Sequence, residues 1–74
     1  MIKLKEIFYE ILGTTRYSIY QSDEMYSLCI ASENEKSFVG EVTSLRETAF
    51  EIMELLIRNV VEPIHLKDVL QDLL

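Results

Sequence analysis

His65, Asp68 and Asp72 are the residues of this chain best suited to chemistry, because a helix would place all three on one face. An imidazole flanked by carboxylates can bind a metal or act as a general base. A structural role is the alternative, since Pro63 and His65 mark the start of the last apolar segment. The His65 ring would then pack on the preceding helix and hydrogen-bond a free backbone group. We favour the structural role and assign no catalytic, cofactor-binding or metal-binding residue.

Cys29 is the only cysteine of the chain and a second candidate for chemistry. As a nucleophile it would need His65 close in space, because no base lies near it in the sequence. We expect an inert thiol in the middle of a strand. One cysteine and one histidine cannot supply the roughly four ligands of a structural zinc site, so we predict no disulfide, metal or cofactor. Such low cysteine usage is typical of a reducing cytoplasm, where we expect the protein to act.

Length and charge narrow the class of protein further. The 74 residues are expected to form a single small α+β domain, residues 1–74. Thirteen acidic residues outnumber seven basic ones, and a net charge of −6 opposes binding to nucleic acid or to an anionic membrane surface. No apolar run approaches the roughly 20 residues that cross a bilayer, and the charged first segment does not resemble a signal peptide. The composition therefore favours a protein partner.

The first apolar segment predicts a helix over residues 2–12. Its apolar residues recur at helical spacing and are Leu4, Ile7, Phe8, Ile11 and Leu12. Gly13 follows them, where a left-handed residue would cap the helix. A strand is the alternative, because Ile2, Leu4, Phe8 and Leu12 share one parity, but Glu6 and Glu10 interrupt that alternation.

Three strands are predicted next, in TTRYSIYQ, EMYSLCIA and SFVGEVT. These segments are rich in β-branched and aromatic residues and are separated by the polar turns SDE and SENEK, which is typical of an antiparallel meander. Alternation predicts one apolar face made of Tyr17, Ile19, Tyr26, Leu28 and Ile30. Phe38 and Val42 are expected to share a face of the third strand.

Two helices are predicted to complete the chain. TSLRETAFEIMELLIRN begins with Ser44 and Glu47 at the spacing of a capping box, and Phe50 and Ile57 widen its apolar arc. Pro63 is expected to start the last helix, whose buried stripe is Leu66, Val69, Leu70 and Leu73. The predicted fold class is α+β: a three-stranded antiparallel meander with an N-terminal helix and two C-terminal helices, in the order α-β-β-β-α-α.

The last segment, PIHLKDVLQDLL, is similar to the C-terminal signature of a known family, Pro-Ile-His-Leu-x-Asp-Val. The family is an uncharacterised group of short proteins from spore-forming Firmicutes, catalogued as a domain of unknown function. The close matches are Pro63, Ile64, His65, Leu66, Asp68, Val69, Asp72 and Leu74. The resemblance extends loosely over residues 17–74. It implies a cytoplasmic bacterial protein with a small α+β fold, and it carries over no activity.

We predict a non-enzymatic protein–protein interaction module that acts as a homodimer or on another protein partner. Three apolar helices and one sheet face would supply more apolar surface than a three-stranded sheet can cover. The alternative is a small ligand-binding or enzymatic domain centred on His65 and the nearby carboxylates, which a cleft at His65 would favour. A third hypothesis is an acidic inhibitor that occupies the basic groove of a partner.

Overall fold

The computed structural model describes residues 3–73, and the chain begins with four consecutive strands. These are β1 (Lys5–Leu12), β2 (Thr15–Ser22), β3 (Met25–Ala31) and β4 (Lys36–Thr43), followed by α1 (Arg46–Arg58), a 3₁₀ turn (Pro63–His65) and α2 (Leu66–Leu73). Each strand pairs antiparallel with the next, so the sheet order is β1-β2-β3-β4. The architecture is β-β-β-β-α-α. The predicted three-stranded meander with an N-terminal helix is therefore wrong; the part of that helix placed on Ile2 lies outside the described residues.

A β-bulge explains why the first segment is a strand despite its helix-like spacing. The register of β1 against β2 shifts between Glu6 and Phe8. A bulge places one extra residue in the strand, so Ile7 and Phe8 both pack against the core although they are adjacent. Glu6 does not break the strand because its carboxylate binds the Arg16 guanidinium of β2 at 2.6 Å. Glu10 is exposed.

Gly13 serves a hairpin rather than a helix end. Leu12 pairs with Thr15, which leaves Gly13 and Thr14 as a two-residue loop between β1 and β2. Gly13 has φ of +64°, a left-handed conformation that such tight hairpin loops require and that glycine adopts without strain. Gly13 therefore does end an element in a left-handed conformation, as predicted, but that element is strand β1 and not a helix.

Both helices pack on the same face of the sheet, which we call the inner face. The predicted alternation is confirmed there: Tyr17, Ile19, Tyr26, Leu28 and Ile30 are all buried. They pack with the buried helix residues Ala49, Ile52, Met53, Leu56, Leu66 and Leu70. α1 covers β2, β3 and β4, while α2 covers β4. One apolar core thus joins the sheet to the helical layer.

A second irregularity, in β4, places Phe38 and Val42 on opposite faces of the sheet. Phe38 pairs with Cys29 and Val39 with Leu28, but the register then shifts before Thr43 reaches Tyr26. Val39 and Val42 pack against the core, whereas Phe38 points to the opposite face, so the prediction that Phe38 and Val42 share a face is wrong.

The ends of α1 also differ from the prediction. The helix begins at Arg46 with Leu45 as its N-cap, so the capping box of Ser44 and Glu47 does not form. The Leu45 backbone N–H donates to Thr43 Oγ1 at 3.1 Å instead. Among residues 3–73, no helix is long and apolar enough to cross a membrane.

Val60 closes the C-terminal end of α1 in an unusual conformation. Its N–H donates to the Ile57 carbonyl and the Val61 N–H donates to the Leu56 carbonyl, each at 3.0 Å. This pair of hydrogen bonds is the Schellman motif, which needs a left-handed residue and usually has glycine there. Val60 instead has φ of +49°. α1 therefore ends at the Schellman motif, before Pro63.

Candidate functional site

His65, Asp68 and Asp72 are positioned by two different elements. His65 is the last residue of the 3₁₀ turn, whereas Asp68 and Asp72 lie one turn apart in α2. All three side chains are exposed. Within residues 3–73, no three His, Cys, Asp or Glu side chains are grouped closely enough to hold a metal ion. Four cavities of the described residues are lined by side chains other than His65, although Pro63 and Ile64 beside it line one of them.

The corner between the helices is held by residues other than the imidazole. Pro63 is buried, and the His65 backbone N–H donates to the Glu62 carbonyl at 3.0 Å. Tyr17, only 1% exposed, donates its hydroxyl to the Val61 carbonyl at 3.1 Å and so ties the sheet to the corner. The His65 side chain itself makes no hydrogen bond to any described residue. The expected packing role of its ring is therefore taken by Pro63 and Tyr17.

Cys29 lies on the face of the sheet away from both helices. Its neighbours across the strands are Ser18 and Phe38, while His65 belongs to the helical layer. The sheet separates the two side chains, so His65 cannot serve as a base for the thiol. Burial raises the pKa of Cys29 above its ordinary value, and the carboxylate of Glu6 adds to that effect. The thiol therefore remains protonated near neutral pH, consistent with the predicted inert cysteine.

The face that carries Cys29 is the most distinctive surface of the molecule, and we call it the outer sheet face. From the strand register, it consists of Glu6, Tyr9, Ile11, Arg16, Ser18, Tyr20, Ser27, Cys29, Lys36 and Phe38. No helix of the described chain covers it. Three of its large apolar side chains are therefore exposed to solvent: Tyr9 is 55%, Ile11 57% and Phe38 40% exposed. A cavity of about 250 Å³ on this face is lined by Leu4, Tyr20, Cys29, Lys36 and Phe38.

Aromatic and polar contacts organise the outer sheet face. The rings of Tyr20 and Phe38 meet edge to face with centroids 6.0 Å apart. The Arg16 guanidinium lies 4.2 Å from the centroid of the Tyr9 ring, within range of a cation–π interaction. Arg16 therefore contacts both an aromatic ring and the Glu6 carboxylate. These contacts hold the large side chains in fixed positions on the sheet.

Glu6 is the acidic centre of this face. Partial burial alone would raise its pKa, but hydrogen bonds from Arg16, Ser18 and Tyr20, with the charge of Arg16, lower the pKa below the ordinary value of 4.5. Glu6 is therefore ionised and neutralised by Arg16. With Lys36 also present, the outer sheet face carries one acid and two bases. Most of the other acidic residues of the chain lie in turns and helices.

A second surface lies on the helical side, between β1 and α1. We call it the β1–α1 groove; its volume is about 400 Å³ and its apolar floor is formed by Phe8, Phe50, Met53 and Ile57. The Phe8 and Phe50 rings meet edge to face, with centroids 5.4 Å apart. The groove exists because α1 packs mainly over the other three strands and leaves the inner side of β1 open.

Sequence reasoning missed both surfaces, although signals for each were present. Tyr9 and Ile11 alternate as strand residues would, but the helix prediction hid that alternation. Phe50 and Ile57 appeared as an apolar arc wider than one contact requires. Phe38 was expected to share a face with Val42, because the bulge in β4 leaves no clear mark in the sequence.

Comparisons with known proteins give a family but no activity. Residues 3–74 match the model of a family of unknown function, DUF6514. No curated protein matches the chain. No solved structure matches it either. Because the family model covers nearly the whole sequence, the chain belongs to the DUF6514 family of unknown function.

Proposed function

We propose that this chain is a non-enzymatic protein–protein interaction module that pairs with a second copy of itself through the outer sheet face. One observation carries the proposal: this face is uncovered yet apolar at Tyr9, Ile11 and Phe38. An antiparallel sheet with one face in water normally places polar side chains on that face. Exposed apolar side chains on an uncovered face of a small domain are typical of an interaction site. The sheet therefore contributes exposed apolar surface of its own, in addition to that of Leu45, Ile64 and Leu73 on the helical side.

The size and residue types of the face fit a stable interface. The Cα atoms span 30 by 25 by 17 Å, so the projected area of the broad side is at most about 750 Å². A standard protein interface buries roughly 800 Å² on each partner. Aromatic residues and arginine are enriched at such interfaces, and this face carries the rings of Tyr9, Tyr20 and Phe38 together with Arg16, whose guanidinium lies over the Tyr9 ring. Nearly the whole face would be used.

Charge favours this surface for self-association over the rest of the molecule. Each copy carries a net charge of −6, so two copies repel one another at most orientations. The outer sheet face is the exception, because Glu6 is paired with Arg16 and Lys36 adds a positive charge. Two such faces can meet without opposing acidic groups. Packed sheets lie about 10 Å apart, so the dimer would be a four-layer sandwich with helices outside.

The alternative of a ligand-binding or enzymatic domain centred on His65 has less support. Asp68 and Asp72 are exposed like His65, and none of the three lines any of four cavities formed by the described residues. Catalytic residues are usually gathered in a cleft with perturbed pKa values. We therefore assign no catalytic residue and no cofactor. A lone, buried Cys29 and the resemblance to Firmicutes proteins support a place in the bacterial cytoplasm.

Light scattering at micromolar concentration tests the proposal with a matched pair of variants. Phe38→Asp places a charge on the outer sheet face at the edge strand β4, and Ile64→Asp makes the same change at an exposed apolar residue of the 3₁₀ turn. We expect a dimer for the native chain and for Ile64→Asp, and a folded 8.7 kDa monomer for Phe38→Asp. Ile11→Lys provides a second disruption, at the 57% exposed Ile11. A native chain that is monomeric at all concentrations would rule the proposal out.

A further inference from the structure

The two edges of the sheet differ in whether another strand could join them. The edge at β4 is interrupted by a bulge, where Glu41 has φ of +51° and donates its N–H to Ser27 Oγ at 3.1 Å. The 3₁₀ turn and α2 also pack against β4. The edge at β1 has its bulge at Ile7 only, and the register from Phe8 to Leu12 is regular. Since β1 pairs with β2 alone in the described sheet, the edge of β1 that faces away from β2 is free to pair with an added strand.

The β1–α1 groove lies directly beside this free edge. Phe8 and Glu10 from the strand and Phe50 and Ile57 from the helix line it, so a strand added to β1 would place alternate side chains against these residues. Phe50 and Ile57 are only half-buried. On the opposite side of such a strand, the nearest side chains of β1 are the exposed Tyr9 and Ile11.

The rim of the groove is acidic. Glu10, Glu51 and Glu54 line it with one base, Arg58, which is paired with Glu54 at 2.7 Å. Glu10 and Glu51 have no basic partner among the described residues. An apolar floor with two unpaired carboxylates at the rim is complementary to a segment that is both apolar and basic. Cross-strand pairs of opposite charge stabilise a sheet, so the residue opposite Glu10 would be Lys or Arg.

We propose that the β1–α1 groove and the free edge of β1 bind an extended segment of another protein in which apolar and basic residues alternate. The segment pairs with β1 as a fifth strand. Its basic residues lie over the groove, with their aliphatic stems on the apolar floor and their charged ends at Glu10 and Glu51. Its apolar residues lie on the other side of the strand, beside Tyr9 and Ile11. This inference rests on the proposed interaction role of the chain, but it does not depend on the homodimer.

Binding of a synthetic peptide that alternates Val with Lys tests the charge and the location of the site. Fluorescence anisotropy should show binding of this peptide and none of a peptide alternating Val with Glu. The double variant Glu10→Lys, Glu51→Lys should weaken binding by about tenfold or more, because it replaces the two attractive charges with repulsive ones. Glu33→Lys, Glu35→Lys makes the same change of net charge in the β3–β4 turn and should shift affinity by no more than about twofold. Equal losses in both double variants, or equal binding of both peptides, would refute a specific site.

Backbone pairing is tested with the same Val-Lys peptide carrying N-methyl groups on alternate residues. Two peptides are made, one methylated on the odd residues and the other on the even residues. Methylation removes the N–H donors that strand addition requires, so at least one of these peptides should fail to bind. If both methylated peptides bind as tightly as the parent, the occupant of the groove is not a fifth strand and the proposal is wrong.

The Phe38→Asp variant separates this proposal from the homodimer. If the native chain is dimeric, and Phe38→Asp is monomeric but still binds the Val-Lys peptide, both proposals hold. If the native chain is monomeric but binds the peptide, only the homodimer fails. If the native chain is dimeric and does not bind the peptide, only the groove proposal fails.

Discussion

Replacing Val60 by glycine should stabilise the protein, which is unusual for a change that removes an apolar side chain. Val60 has φ of +49° at the end of α1, and a β-branched residue is strained there. The left-handed conformation costs an L-residue roughly 1–2 kcal/mol, and glycine avoids that cost. Glycine in turn loses about 0.5–1 kcal/mol through the greater freedom of the unfolded chain. Because the Val60 side chain is 58% exposed, little packing is lost.

The expected net gain for Val60→Gly is about 0.5–1 kcal/mol in the free energy of unfolding, or a rise in Tm of roughly 4 °C. Urea titration followed by circular dichroism measures it, at one fixed protein concentration because dimerisation would also affect stability. Val60→Ala is the matched control, since it shortens the side chain but keeps the Cβ atom that causes the strain. It should change stability by less than about 0.5 kcal/mol.

The reasoning about Val60 fails under either of two results. A neutral or destabilised Val60→Gly protein would mean that the side chain makes contacts that outweigh the strain. An equal gain in Val60→Ala would mean that the benefit comes from removing an exposed apolar group and not from the backbone.

Three further substitutions test the core, the corner and the outer sheet face. Tyr17→Phe should lower the free energy of unfolding by about 1 kcal/mol in thermal denaturation, because the Val61 carbonyl loses its hydrogen-bond donor. Leu70→Ala should cost about 2–5 kcal/mol in urea unfolding, since Leu70 is 3% exposed and its loss leaves a cavity. The pKa of Glu6 is lowered by hydrogen bonding and by Arg16, so its contribution is present above the ordinary pKa of 4.5 and disappears as pH falls through the lower folded value. Glu6→Gln should therefore be less stable than the native chain near neutral pH, and this deficit should shrink in Tm measurements taken below that pH.

The first segment shows why part of the fold could not be predicted from the sequence. Two apolar doublets, Ile7-Phe8 and Ile11-Leu12, suggested a helix because they recur after four residues. The first doublet comes from a bulge, which turns two adjacent residues toward the core. The second comes from an edge strand that is apolar on both sides. Either effect hides the alternation by which strands are recognised.

The central strands and both helices were predictable because their apolar periods are regular. Tyr17 and Ile19 on β2 and Leu28 on β3 alternate without a bulge, and they form the predicted buried face. The face on which Phe38 lies relative to Val42 was not predictable in the same way. The register shift between Val39 and Thr43 interrupts the inward-outward alternation of side chains along β4.

The candidate site was the least predictable feature. The sequence drew attention to His65, a rare residue type at a helix start, but its side chain is exposed and the corner depends on Tyr17 and Pro63. The outer sheet face depends on residues from four strands, including one that was assigned to a helix. Such a surface emerges only from strand register, which local patterns do not specify.

Nuclear Overhauser effects between two copies of the chain test the central claim most directly, because they identify which surfaces meet. In a sample mixing isotope-labelled and unlabelled protein, filtered spectra report contacts between copies only. The homodimer proposed here predicts such contacts from the ring protons of Tyr9 and Phe38 and from the methyl groups of Ile11, with none from the exposed side of α1. Contacts from α1 or α2, or their complete absence at concentrations where the mass is that of a dimer, would contradict it.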